Sequence, residues 1–200
     1  MVILMHGFIS SKRMPPISSL SEELSKAGYA TISFDFNAHG KSEGEFVNVP
    51  PYIENKQSAT DIDEASDTYD TVEWLLRKLK HDNGRVGVYG NSYCGYYALM
   101  AAASHHPAVV AVSPQAPLVD WWKGDDVHHN GALAMLDLVP FLPVLGNTAR
   151  TGPSMEQEPF DPPIIEGTMD EFFMNNTLAD ITRRVDGRVP FWADVVAHPD

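Results

Sequence analysis

The sequence has little cysteine, few basic residues and no long apolar run. Its single cysteine, Cys94, excludes an internal disulfide and leaves the redox compartment open. The 14 basic residues are outnumbered by 27 acidic ones, and the net charge of -13 argues against nucleic acid and anionic membrane surfaces as partners. No apolar run is long enough for a transmembrane helix, and no signal-peptide pattern follows Met1. The sequence therefore assigns no compartment.

What the sequence does contain is enough apolar material for a folded core. Hydrophobic residues make up 44% of its 200 residues, which argues against disorder and suggests one domain, or one domain with an insertion. The chain begins directly in an apolar, strand-like run, Val2 to Met5. From this abrupt start we expect a chain that is truncated at its beginning.

Residues 2–113 alternate strand-like apolar runs with helix-like ones. The helix predicted at 60–80 is the clearest, because it has one apolar stripe and basic residues in its last turn. Strands joined by helices predict right-handed crossovers and an α/β fold, a parallel sheet with helices on both faces. The predicted strands cover residues 2–5, 29–36, 85–90 and 108–112.

The composition changes after Pro114. The remaining segment holds much of the proline, tryptophan, phenylalanine and methionine, and no strand-like run there alternates with helices. We expect residues 1–117 to form the core of the fold and residues 118–200 to form a mainly helical cap lined by aromatic side chains. An irregular C-terminal packing region is the alternative interpretation.

Ser92 lies at the centre of the most informative stretch. An apolar, β-branched run ends at Gly90, Ser92 follows, and a helix-compatible run begins at Tyr93. A nucleophile elbow needs this strand, sharp turn and helix, because the turn lifts the serine hydroxyl clear of the sheet. Gly90 and Gly95 provide the small residues that a close strand-to-helix contact requires. The motif is G-x-S-Y-x-G, with Cys94 where the common motif has its second glycine.

A second signal, His6-Gly7-Phe8, follows the first predicted strand. A His-Gly pair at the end of an early strand is where serine hydrolases of the α/β type form half of their oxyanion hole. We therefore predict that the backbone amides of Phe8 and Tyr93 donate to an oxyanion. Alone, the dipeptide would indicate only a strand end, but together with Ser92 it predicts a site.

Acyl transfer from Ser92 also needs a general base and an acid that orients it. Asp35 and His39 follow the second predicted strand, but we expect them to shape the loop there, because hydrolases of this type take base and acid from later strands. His198 and Asp200 lie in a polar tail that is not a strand end. We therefore expect the triad to be incomplete and the chain to be truncated at its end as well.

His39, or one of the adjacent His128 and His129, remains a candidate for a makeshift base. The histidine pair follows Asp125 and Asp126, and histidine and carboxylate side chains are metal ligands. No supporting ligand pair occurs at a defined spacing, so we expect no metal and no cofactor.

Several segments share a dense pattern with one group of enzymes. The segments are DIDEASDTYDT (61–71), NGRVG (83–87), GNSYCG (90–95), SHHP (104–107), SPQAP (113–117), DWWKGDDVHHNGA (120–132) and AHPD (197–200). They closely resemble the serine hydrolases that include cocaine esterase, glutaryl-cephalosporin acylase, α-amino acid ester hydrolase and X-prolyl dipeptidyl peptidase. The resemblance implies a Ser-Asp-His triad with Ser92 as nucleophile and Tyr93 as an oxyanion donor. It also implies that the acid and the histidine lie beyond Asp200, and that His198 belongs to the cap.

The front of the chain departs from that group. Where the group carries a tyrosine whose hydroxyl completes the oxyanion hole, this chain has Phe8, which can offer only its backbone N–H. The segments HGF (6–8) and DFNAHGKSEG (35–44) are more similar to cinnamoyl and feruloyl esterases. Either a natural variant or a recombined chain would explain why different segments resemble two different groups of enzymes.

Together these features predict a serine hydrolase of the α/β-hydrolase fold that cleaves ester or amide bonds through an acyl-serine intermediate. The expected substrate is a small molecule or short peptide with a bulky or partly apolar acyl group, bound by Trp121, Trp122 and His129. The alternative is a catalytically incomplete piece of such an enzyme that folds or binds without turnover. The sequence leaves open the substrate, the preference for ester or amide, and assembly into a homo-oligomer.

Overall fold

The computed structural model describes residues 1–6, 11–35, 41–42, 64–80, 82–119, 127–145, 163–185, 187–189 and 192–197. Its first part is a parallel sheet flanked by helices, with the strand order β2-β1-β3-β4. This confirms the predicted α/β fold. The strands are β1 (Val2–Met5), β2 (Thr31–Ser33), β3 (Val86–Asn91) and β4 (Val109–Gln115). The helices are α1 (Pro15–Lys26), α2 (Glu64–Lys78) and α3 (Tyr93–Ala103).

The strands form because their short apolar runs are buried between helices. Ile3 and Leu4 are fully buried, as expected of a central parallel strand covered on both faces. Ile3 and Val88 share one core cluster with Val72 of α2 and Ala98 of α3. The small, apolar residues of α3 allow this helix to pack against both β3 and β4.

The lengths of three elements differ from the prediction. The strand predicted at 29–36 is limited to Thr31–Ser33, and Asp35 turns its side chain toward neighbouring loops. The strand predicted at 108–112 continues to Gln115, because β3 runs beside it as far as Asn91. The helix predicted at 60–80 ends at Lys78, and residues 60–63 lie outside the described residues.

β4 is one of the two edge strands of the described sheet, and β2 is the other. In the described part of the chain its strand neighbour is β3, and its opposite edge faces no strand. Val110, near the middle of β4, is 51% exposed, which is unusual for valine in a parallel sheet. Pro114 sits near the end of the same strand and has no backbone N–H to offer.

The second part contains a short hairpin and a set of helices. β5 (His128–His129) and β6 (Ala132–Leu133) pair in antiparallel fashion. Asn130 and Gly131 connect them with positive φ, as a two-residue hairpin turn requires. The helices are α4 (Met135–Leu145), α5 (Met169–Asn175), α6 (Leu178–Val185) and α7 (Trp192–Ala197). The mainly helical character was predicted from the sequence, whereas the hairpin was not.

The second part has a hydrophobic core of its own. Phe172 and Trp192 are its largest members, both 2% exposed, and no residue belongs to both this cluster and the sheet cluster. Leu118 is the last described residue of the sheet cluster. The boundary predicted between residues 117 and 118 stays a prediction. No helix in the described ranges has the length and apolar character needed to cross a bilayer.

Candidate active site

Ser92 is the single residue between the end of β3 and the start of α3. Its backbone has φ 60° and ψ -127°, a conformation that residues with a side chain rarely adopt. The Ser92 amide donates to the Gln115 carbonyl at 2.9 Å. The Ser92 carbonyl accepts from the amides of Gly95 at 2.7 Å and Tyr96 at 3.3 Å. A strained turn persists when its surroundings fix it, and here β4 and α3 both do so.

The two glycines that flank Ser92 are required by close backbone contacts. A Cβ at Gly90 would lie 1.8 Å from the carbonyl oxygen of Cys94. A Cβ at Gly95 would lie 2.6 Å from the carbonyl oxygen of Gln115 and 2.9 Å from the Cα of Pro117. Both distances are too short for any side chain, so strand, turn and helix can approach only with glycine at these positions. The predicted need for small residues is confirmed.

The residues after Ser92 are buried while Ser92 itself is exposed. The ring of Tyr93 packs edge-on against that of Tyr97, with centroids 5.1 Å apart, and fixes the start of α3. Amides in the first turn of a helix point out of its N-terminus, so Tyr93 presents its backbone, not its ring, at the turn. Cys94 is fully buried, and burial raises the pKa of its thiol, which holds it in the protonated form.

The carboxyl ends of all four strands lie at one edge of the sheet, where open α/β folds gather their sites. Met5 of β1 is in register with Gly90 of β3, so the chain leaving β1 begins beside the Ser92 turn. His6 is the first residue of that segment and is 1% exposed. Phe8, the predicted second oxyanion donor, lies outside the described residues.

Asp35 lies at the same edge, two residues after β2. Its carboxylate accepts from the backbone amides of Lys12 at 2.8 Å and Lys41 at 3.2 Å, and pairs with the Lys12 ammonium at 3.1 Å. Burial alone would raise the pKa of Asp35, but these hydrogen bonds and the Lys12 charge together lower it. The prediction that Asp35 shapes its loop is confirmed, and His39 lies outside the described residues.

Two of the described histidines are held by other elements. His106 accepts the Ala108 amide at Nδ1, at 3.1 Å, so its proton is on Nε2, which lies 3.1 Å from Glu73 of α2. His128 is 1% exposed in the second core and bonds the backbone of Val195. Burial lowers the pKa of His128 despite this bond. Both imidazoles tie structural elements together.

Only some of the residues considered as substrate or metal ligands belong to the described part of the chain. His129 is exposed on β5. Trp121, Trp122, Asp125 and Asp126 lie outside the described residues, as does the tail with His198 and Asp200. Within the described ranges, no group of three or more histidine, cysteine, aspartate or glutamate side chains is placed to hold a metal ion.

Sequence reasoning missed the support that β4 gives to the serine turn. The end of β4 and the residues that follow it pass close to α3, so that the Gln115 carbonyl accepts from the Ser92 amide and Pro117 contacts Gly95. Ala116, between them, has φ 43°, a second strained non-glycine residue. The parallel register of β3 and β4 creates this contact, and no local sequence pattern signals it.

Comparison with known proteins identifies the family. The model of the X-Pro dipeptidyl-peptidase family (S15 family) matches residues 10–200. The chain belongs to the S15 family. This membership confirms the resemblance that was predicted from the segments around Ser92, whereas the likeness of the front of the chain to cinnamoyl and feruloyl esterases stays a prediction.

Two curated proteins are similar to parts of the chain. The chain is 30% identical over 132 residues to the cocaine esterase of Rhodococcus sp. (strain MB1 Bresler), which is 66% of this chain and 21% of that protein. It is 26% identical over 160 residues to an uncharacterized 31.7 kDa protein from the traX-finO intergenic region of Escherichia coli, covering 80% of this chain and 50% of that one.

A solved structure has the same fold over nearly the whole chain. The aminopeptidase from the marine sediment archaeon Thaumarchaeota archaeon matches 99% of this chain with a TM-score of 0.70 and 28% identity. The match covers 33% of the aminopeptidase. The chain thus spans half or less of the length of each of these similar proteins.

Proposed function

We propose that this chain carries the nucleophile of a serine hydrolase that cleaves ester or amide bonds through an acyl-serine intermediate. The observation that carries the proposal is Ser92, an exposed serine held at positive φ between a buried strand and the N-terminus of a helix. Such a conformation costs about 1–3 kcal/mol, and glycine would adopt it at lower cost. A role of the hydroxyl as nucleophile would explain why position 92 holds a serine and not a glycine.

In the proposed reaction the Ser92 Oγ attacks the acyl carbon while its proton passes to a general base. The acyl oxygen becomes negative and accepts the backbone N–H of Tyr93 at the start of α3 and that of Phe8 after β1. The base then gives its proton to the leaving alcohol or amine. Water, deprotonated by the same base, hydrolyses the acyl-serine and regenerates the hydroxyl.

The general base is proposed to come from outside the described residues. His106 and His128 are each bonded to structural elements. The assignment of the base rests on the resemblance to known enzymes and not on excluding the other described histidines, His6, His105 and His129. In the enzymes that the sequence resembles, the acid and the histidine follow the cap. We therefore expect both to lie beyond Asp200 in the protein that carries this chain.

The similar proteins support a proposal for the substrate class. One relative is an esterase and the solved neighbour is an aminopeptidase, so both ester and amide bonds are open to this site. We propose an acyl substrate that is a small molecule or a short peptide, with Trp121, Trp122 and His129 contacting it.

The catalytically incomplete chain remains the second candidate. It is favoured by one observation, that the chain covers only 21% to 50% of the similar proteins. Under this alternative the 200 residues fold with the serine turn intact, but the hydroxyl is not activated.

The deciding experiment is the intact mass of the purified chain after treatment with a fluorophosphonate probe. The Ser92→Ala variant is the test, and Ser113→Ala, which removes another exposed serine one strand away, is the matched control. A single adduct that is lost only in Ser92→Ala supports the proposal. Absence of an adduct in the unaltered chain supports the incomplete enzyme.

A further inference from the structure

Ala116 lies between two contacts that the end of β4 makes with the serine turn. The residue before it, Gln115, accepts the Ser92 amide with its carbonyl oxygen at 2.9 Å. The residue after it, Pro117, lies against Gly95, where an added Cβ would come within 2.9 Å of the Pro117 Cα. The backbone conformation of Ala116 therefore sets how these two contacts are oriented relative to each other.

The chain is fixed on both sides of Ala116. On the side of β4, Gln115 pairs with Asn91 at the end of the parallel ladder. On the other side, Leu118 is buried in the core cluster of the sheet. Between these two points Ala116 leaves the extended conformation of the strand and adopts φ 43°. A strained residue is retained when its neighbours fix it in this way.

Packing of the side chain does not account for the strain, because Ala116 is exposed. A left-handed backbone is unfavourable for any residue with a Cβ, and such strain is concentrated at functional sites. Here it lies one residue from the carbonyl that holds the amide of the proposed nucleophile. Since the side chain is exposed, a substitution at this position acts mainly through the backbone.

We propose that Ala116 is a positioning residue for the Ser92 nucleophile. Its left-handed backbone directs the Gln115 carbonyl at the Ser92 amide and Pro117 at the start of α3. The inference rests on the proposed function, in which the Ser92 Oγ attacks the acyl carbon and the Tyr93 amide receives the oxyanion. Ala116 acts through its two neighbours in the chain and not by contact with substrate.

The test compares substitutions at position 116 that differ in how well they tolerate the left-handed conformation. Valine is β-branched and rarely adopts positive φ, whereas asparagine and glycine adopt it more readily. Ala116→Val should therefore move the backbone, and Ala116→Asn and Ala116→Gly should preserve it. Ala111→Val is the matched control, because it makes the same change at an exposed position inside β4, where valine suits the extended backbone.

Two quantities are measured for each variant. Fluorophosphonate labelling of Ser92 is followed as a function of probe concentration, which separates probe binding from bond formation, and its rate is expressed per folded molecule. Hydrogen exchange of single backbone amides reports whether the bond from Ser92 to Gln115 persists. The amide of Val88, in the middle of β3 with a strand on each side, is the internal reference.

The expected result is that Ala116→Val slows the bond-forming step about tenfold to a hundredfold, since displacement of a reacting group by about 1 Å costs about a hundredfold in rate. Probe binding stays nearly unchanged. Exchange of the Ser92 amide rises, while that of Val88 does not change. Ala116→Asn, Ala116→Gly and Ala111→Val react at the rate of the unaltered chain. A role confined to stability would lower the folded fraction of Ala116→Val without changing the rate per folded molecule.

The possible failures are distinct. If the unaltered chain forms no Ser92 adduct, the proposed function falls, and the role of Ala116 with it. If the unaltered chain is labelled and folded Ala116→Val is labelled at the same rate, the role of Ala116 is overturned while the proposed function stands. An equal loss of rate in Ala116→Asn would assign the effect to side-chain size and would also overturn it, as would unchanged exchange of the Ser92 amide in Ala116→Val.

Discussion

The two parts of the molecule are stabilised in different ways. The sheet part depends on parallel pairing of strands that are distant in sequence, and it contains Ser92 and Ala116 in strained conformations. The helical part combines a core cluster around Phe172 and Trp192 with local signals, such as the capping box in which Thr168 and Glu171 exchange hydrogen bonds at the start of α5. Of the four described non-glycine residues with positive φ, Ser92 and Ala116 lie at the proposed site, His105 follows α3, and Asn130 lies in the hairpin turn of the helical part.

The largest expected loss of stability tests whether the two hydrophobic cores unfold independently. Replacing Phe172 with alanine removes a buried ring that contacts Phe173 and the Arg184 guanidinium, and it should cost about 3–5 kcal/mol of unfolding free energy. Because the clusters share no residue, hydrogen-exchange protection should fall in residues 127–197 and persist in β1, β3 and α3.

The control for Phe172→Ala is Met174→Ala on the same helix, where the side chain is 85% exposed. That change should alter stability by no more than about 0.5 kcal/mol. Equal loss of protection in both parts of the chain would show that they unfold as one unit, and the comparison would fail.

The second effect tests the close contacts at the serine turn. Gly90→Ala should destabilise the chain by about 1–3 kcal/mol, because its Cβ would overlap the Cys94 carbonyl. Gly87→Ala is a control in the same strand, since its Cβ would meet nothing closer than 3.9 Å. Gly87→Ala should be neutral or stabilising, by up to about 1 kcal/mol. Urea unfolding measures both, and equal stability of the two variants would contradict the tight turn.

The smallest expected effect is a difference in pH dependence between the two parts. Burial lowers the pKa of His128, so as pH falls below about 6.5 the unfolded chain takes up a proton first and the helical part loses stability. The pKa of Asp35 is also lower in the folded chain than in the unfolded one. Its contribution to the free energy of unfolding is therefore complete above about pH 4, and it is lost only as the pH falls from there toward the pKa of the folded state.

This difference can be measured with urea unfolding midpoints at pH 7.5 and pH 5.5. The gap between the unaltered chain and His128→Gln should narrow at the lower pH, whereas the gap to Asp35→Asn should stay constant. His129→Gln, an exposed neighbour on β5, is the control. A gap to His128→Gln that is independent of pH would exclude this contribution of His128.

Elements with a local signal could be predicted from the sequence, and elements that depend on distant pairing could not. The apolar run of β1 and the strand-turn-helix around Ser92 were predicted because their residues specify them directly. The early end of β2 follows from contacts between Asp35 and residues as distant as Lys12. The Asn130-Gly131 dipeptide is typical of a hairpin turn. The hairpin could still not be predicted, because its strands have only two residues each, too few to show the alternation of apolar and polar residues that indicates a strand.

The same difference between local sequence and distant strand pairing applies to the residues of the candidate site. The strand-turn-helix position of Ser92 and the need for glycine at positions 90 and 95 could be predicted from their spacing in the sequence. The bond from the Ser92 amide to Gln115 and the anchoring of Lys12 by Asp35 required the register of four strands. The nucleophilic role of Ser92 and the roles of Tyr93 and Phe8 stay predictions.

The open edge of β4 has a consequence for handling the protein. In the part of the chain that the structure describes, β4 has no strand beside its second edge, and Val110 is exposed. An uncovered edge of this kind is a template on which another chain can add a strand, and natural proteins usually cover or interrupt it. Pro114 interrupts pairing only near the end of the strand, which leaves residues 109–113 available. Preparations of this chain by itself are therefore expected to aggregate as concentration rises, and a lysine in place of Val110 is the simplest change that would keep it in solution.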